Sequence, residues 1–421
     1  QYWEVLGQIS TEEARRLHEP QSKAWTASLY MKISEMESEA GRGLIPNIRE
    51  NFLSQTSLNH FQRGIRDSEL FLSFWLGAKS YVWAVSRESL HIYQLPSTGE
   101  IAEAVRSFRD ALAEDRPQAI QEGNRLYSTL FGQLTASEMR KPAWLLSLEG
   151  DLFDVPFAAL VTEERNGKPM YLVESHSLQT VPGALLLAAE PQPAGSREGR
   201  FLGVGDPVYN TADPRWQGGA AKDSAGQLER LVGSGAEVEA SARGWRGETP
   251  CRSTLLRGSE ANRLRFLREL EDRPAVVHLA THVLIPSHSR EQGLIAFALT
   301  ARENQHPRPE YVSAAEVAAL RVPGALVVMT GCSTGTGTVK SGAGLLGLTR
   351  AWLMAGASTV IATAWPVEDT AGEFFTRFYT HLRSQNPAQA LRQSQIEEIH
   401  ANRGRSSPQL WASYQITGGV H

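Results

Sequence analysis

The sequence predicts an α/β fold: a mostly parallel sheet with helices on both faces. Three observations lead there. From residue 201 onward, short apolar runs alternate with amphipathic helical stretches, the order that produces parallel strands joined by crossovers. Two of the runs, Ala275-Val-Val-His-Leu-Ala-Thr-His282 and Ala325-Leu-Val-Val-Met-Thr-Gly-Cys332, are β-branched and lack polar alternation, as strands buried on both faces do. Finally, 421 residues exceed what one ordinary core organises, so two or three domains are expected.

The elements follow in order. Residues 1–65 read as a helical region. Thr11-Glu-Glu-Ala opens one helix with a capping threonine and early carboxylates, and a second, beyond Pro20, runs through Trp25, Leu29, Ile33 and Met36. From Leu70 the period shortens. Phe71–Gly77, Ser80–Ser86 and Leu90–Leu95 read as consecutive strands. Helices follow through Ile101, Val105, Phe108 and Leu112 and over 117–132, then a strand from Ala143 to Leu148. His91 and His176 lie in strand-like contexts and read as structural. Glu190-Pro-Gln-Pro-Ala-Gly-Ser-Arg-Glu-Gly199 is the clearest linker. It separates an α/β subdomain without cysteine, 66–195, from a second α/β domain, 196–421. In the latter a strand at Phe201–Gly205 ends at Asp206, and helices and strands alternate as far as Trp365. From Thr370 onward two helices and a tail are expected.

Composition narrows the function. A formal net charge of −4 gives no electrostatic reason to expect nucleic acid or an anionic membrane as a direct partner. No apolar stretch reaches the roughly 20 residues needed to span a bilayer, and the first residues do not read as a secretory signal. Cys251 and Cys332 are too few for a disulfide framework or a four-cysteine zinc site. A cytoplasmic protein without cofactor or metal is the expectation.

Three motifs compete for the same ground. If the two apolar runs belong to one parallel sheet, Cys332 and His282 emerge on the same edge, where such sheets bind ligands. Imidazole beside thiol makes the reactive thiolate, and a strand end followed by glycines leaves backbone N–H groups to bind an oxyanion. A lone cysteine is otherwise a small buried hydrophobe. Gly331-Cys-Ser-Thr-Gly335 satisfies the serine-hydrolase pattern with Ser333 as nucleophile, followed by Asp369 and His381 in triad order, but a loop stands where the elbow needs a helix. Gly342-Ala-Gly-Leu-Leu-Gly347 matches a dinucleotide fingerprint, yet it does not follow its strand directly.

His278-Leu-Ala-Thr-His282, Leu326-Val-Val-Met-Thr-Gly-Cys-Ser-Thr-Gly335 and Ala355-Gly-Ala-Ser-Thr-Val-Ile-Ala-Thr-Ala-Trp-Pro-Val-Glu-Asp369 together resemble the CHAT family. These are caspase-like and separase-like cysteine peptidases of clan CD, usually found behind tetratricopeptide repeats. Asp151–Leu160, Val204-Gly-Asp-Pro207, Ser234–Val238 and Trp411–Gly418 extend the likeness, in the expected order, from about residue 66 onward. The resemblance implies a His282/Cys332 dyad, with the backbone N–H groups of Val283 and Cys332 holding the oxyanion, and implies that the subdomain over 66–195 is non-catalytic. Two places depart from the family pattern. Val283 stands where glycine is usual, and Thr330-Gly331 where Ser-Ala is commoner.

By the same resemblance, the substrate pocket is walled by Asp206, Trp365, Glu368 and Asp369. No arginine is apparent there, so a basic residue is expected before the scissile bond. The function expected is that of a cysteine endopeptidase cutting one dedicated protein, gated by an activating protein or by upstream tetratricopeptide-type helices. Bacterial relatives of this kind act in defence. A catalytically silent scaffold and a Ser333 hydrolase are the alternatives.

Overall fold

The computed structural model describes residues 55–181, 199–218, 228–246, 252–284, 293–300, 307–331, 343–365, 372–401 and 406–418. The chain divides into two compact units, Gln1–Gly64 and Ile65–His421. The first is described only in helix α1, Gln55–Gly64; the helices expected near Thr11 and Trp25 lie outside the described residues.

The second unit is organised by one 11-stranded sheet. Its strands, in chain order, are β1 (Glu69–Trp75), β2 (Ser80–Val85), β3 (Leu90–Leu95), β4 (Ala143–Ser147), β5 (Ser177–Thr180), β6 (Phe201–Pro207) and β7 (Ser253–Gly258). Then come β8 (Val276–Ala280), β12 (Leu326–Met329), β13 (Thr359–Thr363) and β14 (Tyr414–Gly418). Three short strands intervene as a separate antiparallel sheet: β9 (Val283–Leu284), β10 (Leu294–Thr300) and β11 (Arg308–Ser313). The order across the large sheet is β3-β2-β1-β4-β5-β14-β13-β12-β8-β6-β7. Pairing is parallel except at β1–β2, β2–β3 and β13–β14.

Alternation along the central strands sends side chains to two cores, because successive residues of a strand face opposite ways. Val276, Leu326, Val328 and Ile361 face one core, with Phe375, Phe378 and Tyr379 of helix α8 (Gly372–Leu382) and Leu391 of helix α9 (Pro387–His400). Helices α2 (Thr98–Ala113) and α3 (Gln118–Phe131) extend that core over β1 and β4 through Phe108 and Leu126. Val277, Leu279, Val327 and Met329 face the other core. There they meet Phe266 of helix α5 (Arg263–Glu271), Val317 of helix α6 (Ala314–Ala318), and Leu348 and Trp352 of helix α7 (Ala343–Met354). Helix α4 (Val232–Arg246) packs beside α8 and adds Ala242 and Trp245 to the first core.

Local sequence fixes many of these starts. Ser97 and Glu100 form a reciprocal capping box at α2, as do Ser313 and Glu316 at α6. Asn386 caps α9 with Pro387 at its first turn. Two features depart from the sequence-based expectation. The β10–β11 hairpin was not anticipated. The expected carboxyl-end tail contains β14, which enters the middle of the sheet, opposite β13 along Thr359–Thr363 and touching β5 at Thr417–Thr180.

Candidate active site

The two strand ends singled out in the sequence are neighbours. β8 and β12 pair in parallel, with Val276 opposite Leu326 and Leu279 opposite Met329, and the Thr330 N–H continues the ladder to the Leu279 carbonyl at 3.0 Å. One residue further, Gly331 is pressed against the residues flanking His282. A Cβ there would lie 1.8 Å from the Thr281 carbonyl oxygen and 3.0 Å from Cγ2 of Val283. Nothing larger than glycine fits. The two departures from the family pattern are neighbours in space, but the Thr281 main chain, more than the Val283 side chain, is what excludes a side chain at residue 331.

His282 lies just beyond β8 and is fully buried. Its Nε2 is 2.7 Å from the main-chain oxygen of Glu229, an acceptor with no hydrogen to offer, so Nε2 carries the proton. In the neutral ring, Nδ1 then holds the lone pair, the tautomer a base requires. The ring packs on Tyr209, centroids 4.8 Å apart, and the Tyr209 hydroxyl accepts from the His282 N–H at 3.1 Å. Burial pushes the Tyr209 phenol well above the usual tyrosine range, so it stays neutral.

Val283 begins β9, opposite Ile295. The Ala296 N–H donates to the His282 carbonyl at 2.9 Å, which makes Val283–Ile295 a non-hydrogen-bonded pair and turns the Val283 N–H away from β10. A β-branched residue suits this extended backbone, so valine is tolerated where glycine is the family habit.

Beneath the strand ends runs a buried polar network. His278 of β8 donates from Nε2 to Glu237 Oε1 of α4 at 2.8 Å and accepts at Nδ1 from the Tyr379 hydroxyl of α8 at 2.9 Å. The same Glu237 oxygen accepts from Thr330 Oγ1 at 2.6 Å. One carboxylate therefore ties the ends of β8 and β12 to a helix.

One expectation about the pocket wall is corrected: two arginines stand at Asp206, where none was apparent in the sequence. Arg215 donates to Asp206 from Nη1 and Nη2 at 2.7 and 2.9 Å, and Arg230 from Nε and Nη2 at 2.9 and 2.8 Å. Asp213 completes the cluster through Arg215 Nη2 at 2.6 Å. The hydrogen bonds from Arg215 hold the Asp213 carboxyl below the usual range, and the bonds from Asp213 raise the Arg215 guanidinium further. Trp365 ends its strand region half-buried, its Nε1 donating to the Gln409 carbonyl at 3.2 Å. Cys332, Ser333, Glu368 and Asp369 lie outside the described residues.

His381, the third member of the serine arrangement, has its Nε2 at 2.9 Å from Glu397 on α9. His176 is buried between Ser175 and the Met139 carbonyl, and His91 binds Glu138. Among the described residues, no cluster of three His, Cys, Asp or Glu side chains is arranged to hold a metal, and no helix is long and apolar enough to cross a membrane. Sequence reasoning missed Tyr209, Glu229, Arg215 and Arg230, and met Glu237 only within the Ser234–Val238 stretch, without a role for it. Of the four missed, Tyr209 carried a signal, as an aromatic residue just beyond a strand end.

Tetratricopeptide repeat protein 28 of Homo sapiens is 26% identical over 315 residues, covering 65% of this chain, and its Mus musculus counterpart matches equally. The chain spans 12% of the length of those relatives. Among solved structures, the Saccharomyces cerevisiae separase–securin complex contains a chain with a TM-score of 0.52 at 10% identity, covering 86% of this chain and 31% of that one. That likeness shows the fold, the caspase-like α/β architecture expected from the sequence. The CHAT domain pattern matches residues 121–419, and the chain belongs to the CHAT domain family.

Proposed function

We propose that this chain is a cysteine endopeptidase whose dyad is His282 and Cys332. One observation carries the reading: the register of β8 and β12. Val276 and Leu326 are opposite each other and 50 residues apart, as are Leu279 and Met329. His282 and Cys332 have the same separation, and Thr330 and Gly331 still follow the neighbouring strand closely. A ladder held to that point supports thiol and imidazole emerging side by side.

The chemistry follows from the tautomer. Nδ1 of His282 takes the thiol proton, and the Cys332 thiolate attacks the scissile carbonyl carbon. The oxyanion is held by the N–H groups of Val283 and Cys332. The C–N bond breaks as His282 protonates the leaving amine, and water then hydrolyses the thioester. Substrate choice rests on the loop after Trp365. With Asp206 committed to two arginines, a basic residue before the cut would be read by Glu368 and Asp369. The substrate is a dedicated protein, and activation comes from a partner or from helices preceding the sheet, in keeping with the repeat-protein name of the relatives.

Two measurements test this. Cys332 should react with iodoacetamide much faster than Cys251, and wild type but not Cys332→Ala should release a discrete fragment from its protein substrate. Equal labelling of both cysteines, with no fragment from any candidate protein, would leave the scaffold reading. Labelling of Ser333 by a fluorophosphonate would establish the hydrolase instead.

A further inference from the structure

Resting on the peptidase reading, we infer that Asp206, Arg215 and Arg230 form a clamp that positions His282, and that Asp206 does not read the substrate. A carboxylate offers about four lone-pair positions, and the two guanidinium groups occupy all four of Asp206's. A basic substrate side chain would have to displace one of them. The cluster of Asp206, Asp213, Arg215 and Arg230 is neutral as a whole, so it presents no net negative field to attract such a side chain.

What the cluster holds is the chain beside the histidine. Three successive residues are anchored: Leu228 by Asn210, whose Nδ2 donates to its carbonyl at 3.0 Å, Glu229 by Nε2 of His282, and Arg230 by Asp206. Two of these three anchors come from the exit of β6, residues 206–210. The same exit supplies Tyr209, on which the His282 ring rests. One five-residue segment therefore fixes both the imidazole and the oxygen that orients it.

Backbone strain at Asp206 agrees. Its φ is +48°, a left-handed conformation strained for a non-glycine residue, and its N–H is held by Ser234 Oγ at 2.8 Å. That conformation aims the carboxylate at Arg215 and Arg230. Bidentate pairs of this kind are stronger and geometrically stricter than ordinary surface ion pairs.

The test uses two thiol reagents of different size on the full chain. Iodoacetamide is too small to depend on a substrate pocket; an arginyl chloromethyl ketone occupies one. Arg230→Gln and Asp206→Asn are compared with wild type and His282→Ala, with Cys251 as the internal reference and a thermal melt to show that each variant is folded. A positioning clamp predicts that both reagents slow at Cys332 by about 10- to 100-fold in both variants, the cost of displacing a reacting group by up to about an ångström. Slowing of the arginyl reagent alone would overturn the inference and make Asp206 a specificity residue. An unchanged rate with both reagents would overturn it too. If Asp206→Asn fails to fold, Arg230→Gln decides, because it retains the Asp206–Arg215 pair. If His282→Ala reacts as wild type does, the peptidase reading itself has failed.

Discussion

His278 and His282 belong to the same short stretch of chain, are equally buried, and are held in different ways. His278 has both ring nitrogens on side chains of two helices, Glu237 and Tyr379. It is a bolt between the sheet and the layer above it. His282 gives Nε2 to a main-chain carbonyl and leans on one aromatic ring. That oxygen orients the imidazole without placing a carboxylate against it. On the proposed peptidase reading, identical letters in one motif divide into a fastener and a tool. The partner decides which, and the partner comes from elsewhere in the chain.

Substitutions sharpen the contrast, beginning with the largest effect. His282→Ala should reduce cleavage about 1,000-fold or more while leaving a cooperative melt, the pattern of removing a catalytic base. If cleavage survives, the division between the two histidines collapses. Glu237→Ala should act the other way, through stability. It strands the His278 ring N–H and the Thr330 hydroxyl in a buried site and should cost about 1–3 kcal/mol for each donor left without an acceptor, read as a lower urea midpoint. An unchanged midpoint would show that the network is ornamental.

Gly331→Ala comes next. The added methyl meets a main-chain oxygen that cannot yield, so a loss of about 1–3 kcal/mol and slower alkylation of Cys332 are expected. Val283→Gly in the same chain should not restore it, because the tighter clash is with Thr281. The smallest effect concerns a third histidine. Burial holds the His176 pKa below the ordinary value of about 6.5, so the folded state binds protons less readily than the unfolded one. Its contribution is complete above the unfolded pKa and is lost as pH falls toward the depressed folded value. His176→Phe should flatten the acid limb of a stability–pH curve below about pH 6.5.

Much of the frame was legible in the sequence because burial writes itself into local pattern. The β-branched runs at Val276–Ala280 and Leu326–Met329 became adjacent strands, and the capping residues at Ser97 and Asn386 began their helices. Elements whose reason lies in the other half of the chain were not legible. Tyr414–Gly418 is a strand only because Thr359–Thr363 stands beside it. Asp206 read as a wall of the substrate pocket because nothing local says that Arg215 and Arg230 fold back onto it. Glu229 could not have been found at all: its contribution is a peptide oxygen, which every residue possesses.

The position of β14 has a consequence for how the protein is made. Residues 414–418 fill a slot between strands built from residues 177–180 and 359–363. Until residue 418 leaves the ribosome, two sheet fragments face each other with raw edges, the state most open to mispairing and to chaperones. A nascent chain therefore cannot close its sheet until residues 414–418 have been made, and a product that stops short of Tyr414 is an unclosed structure for quality control to remove.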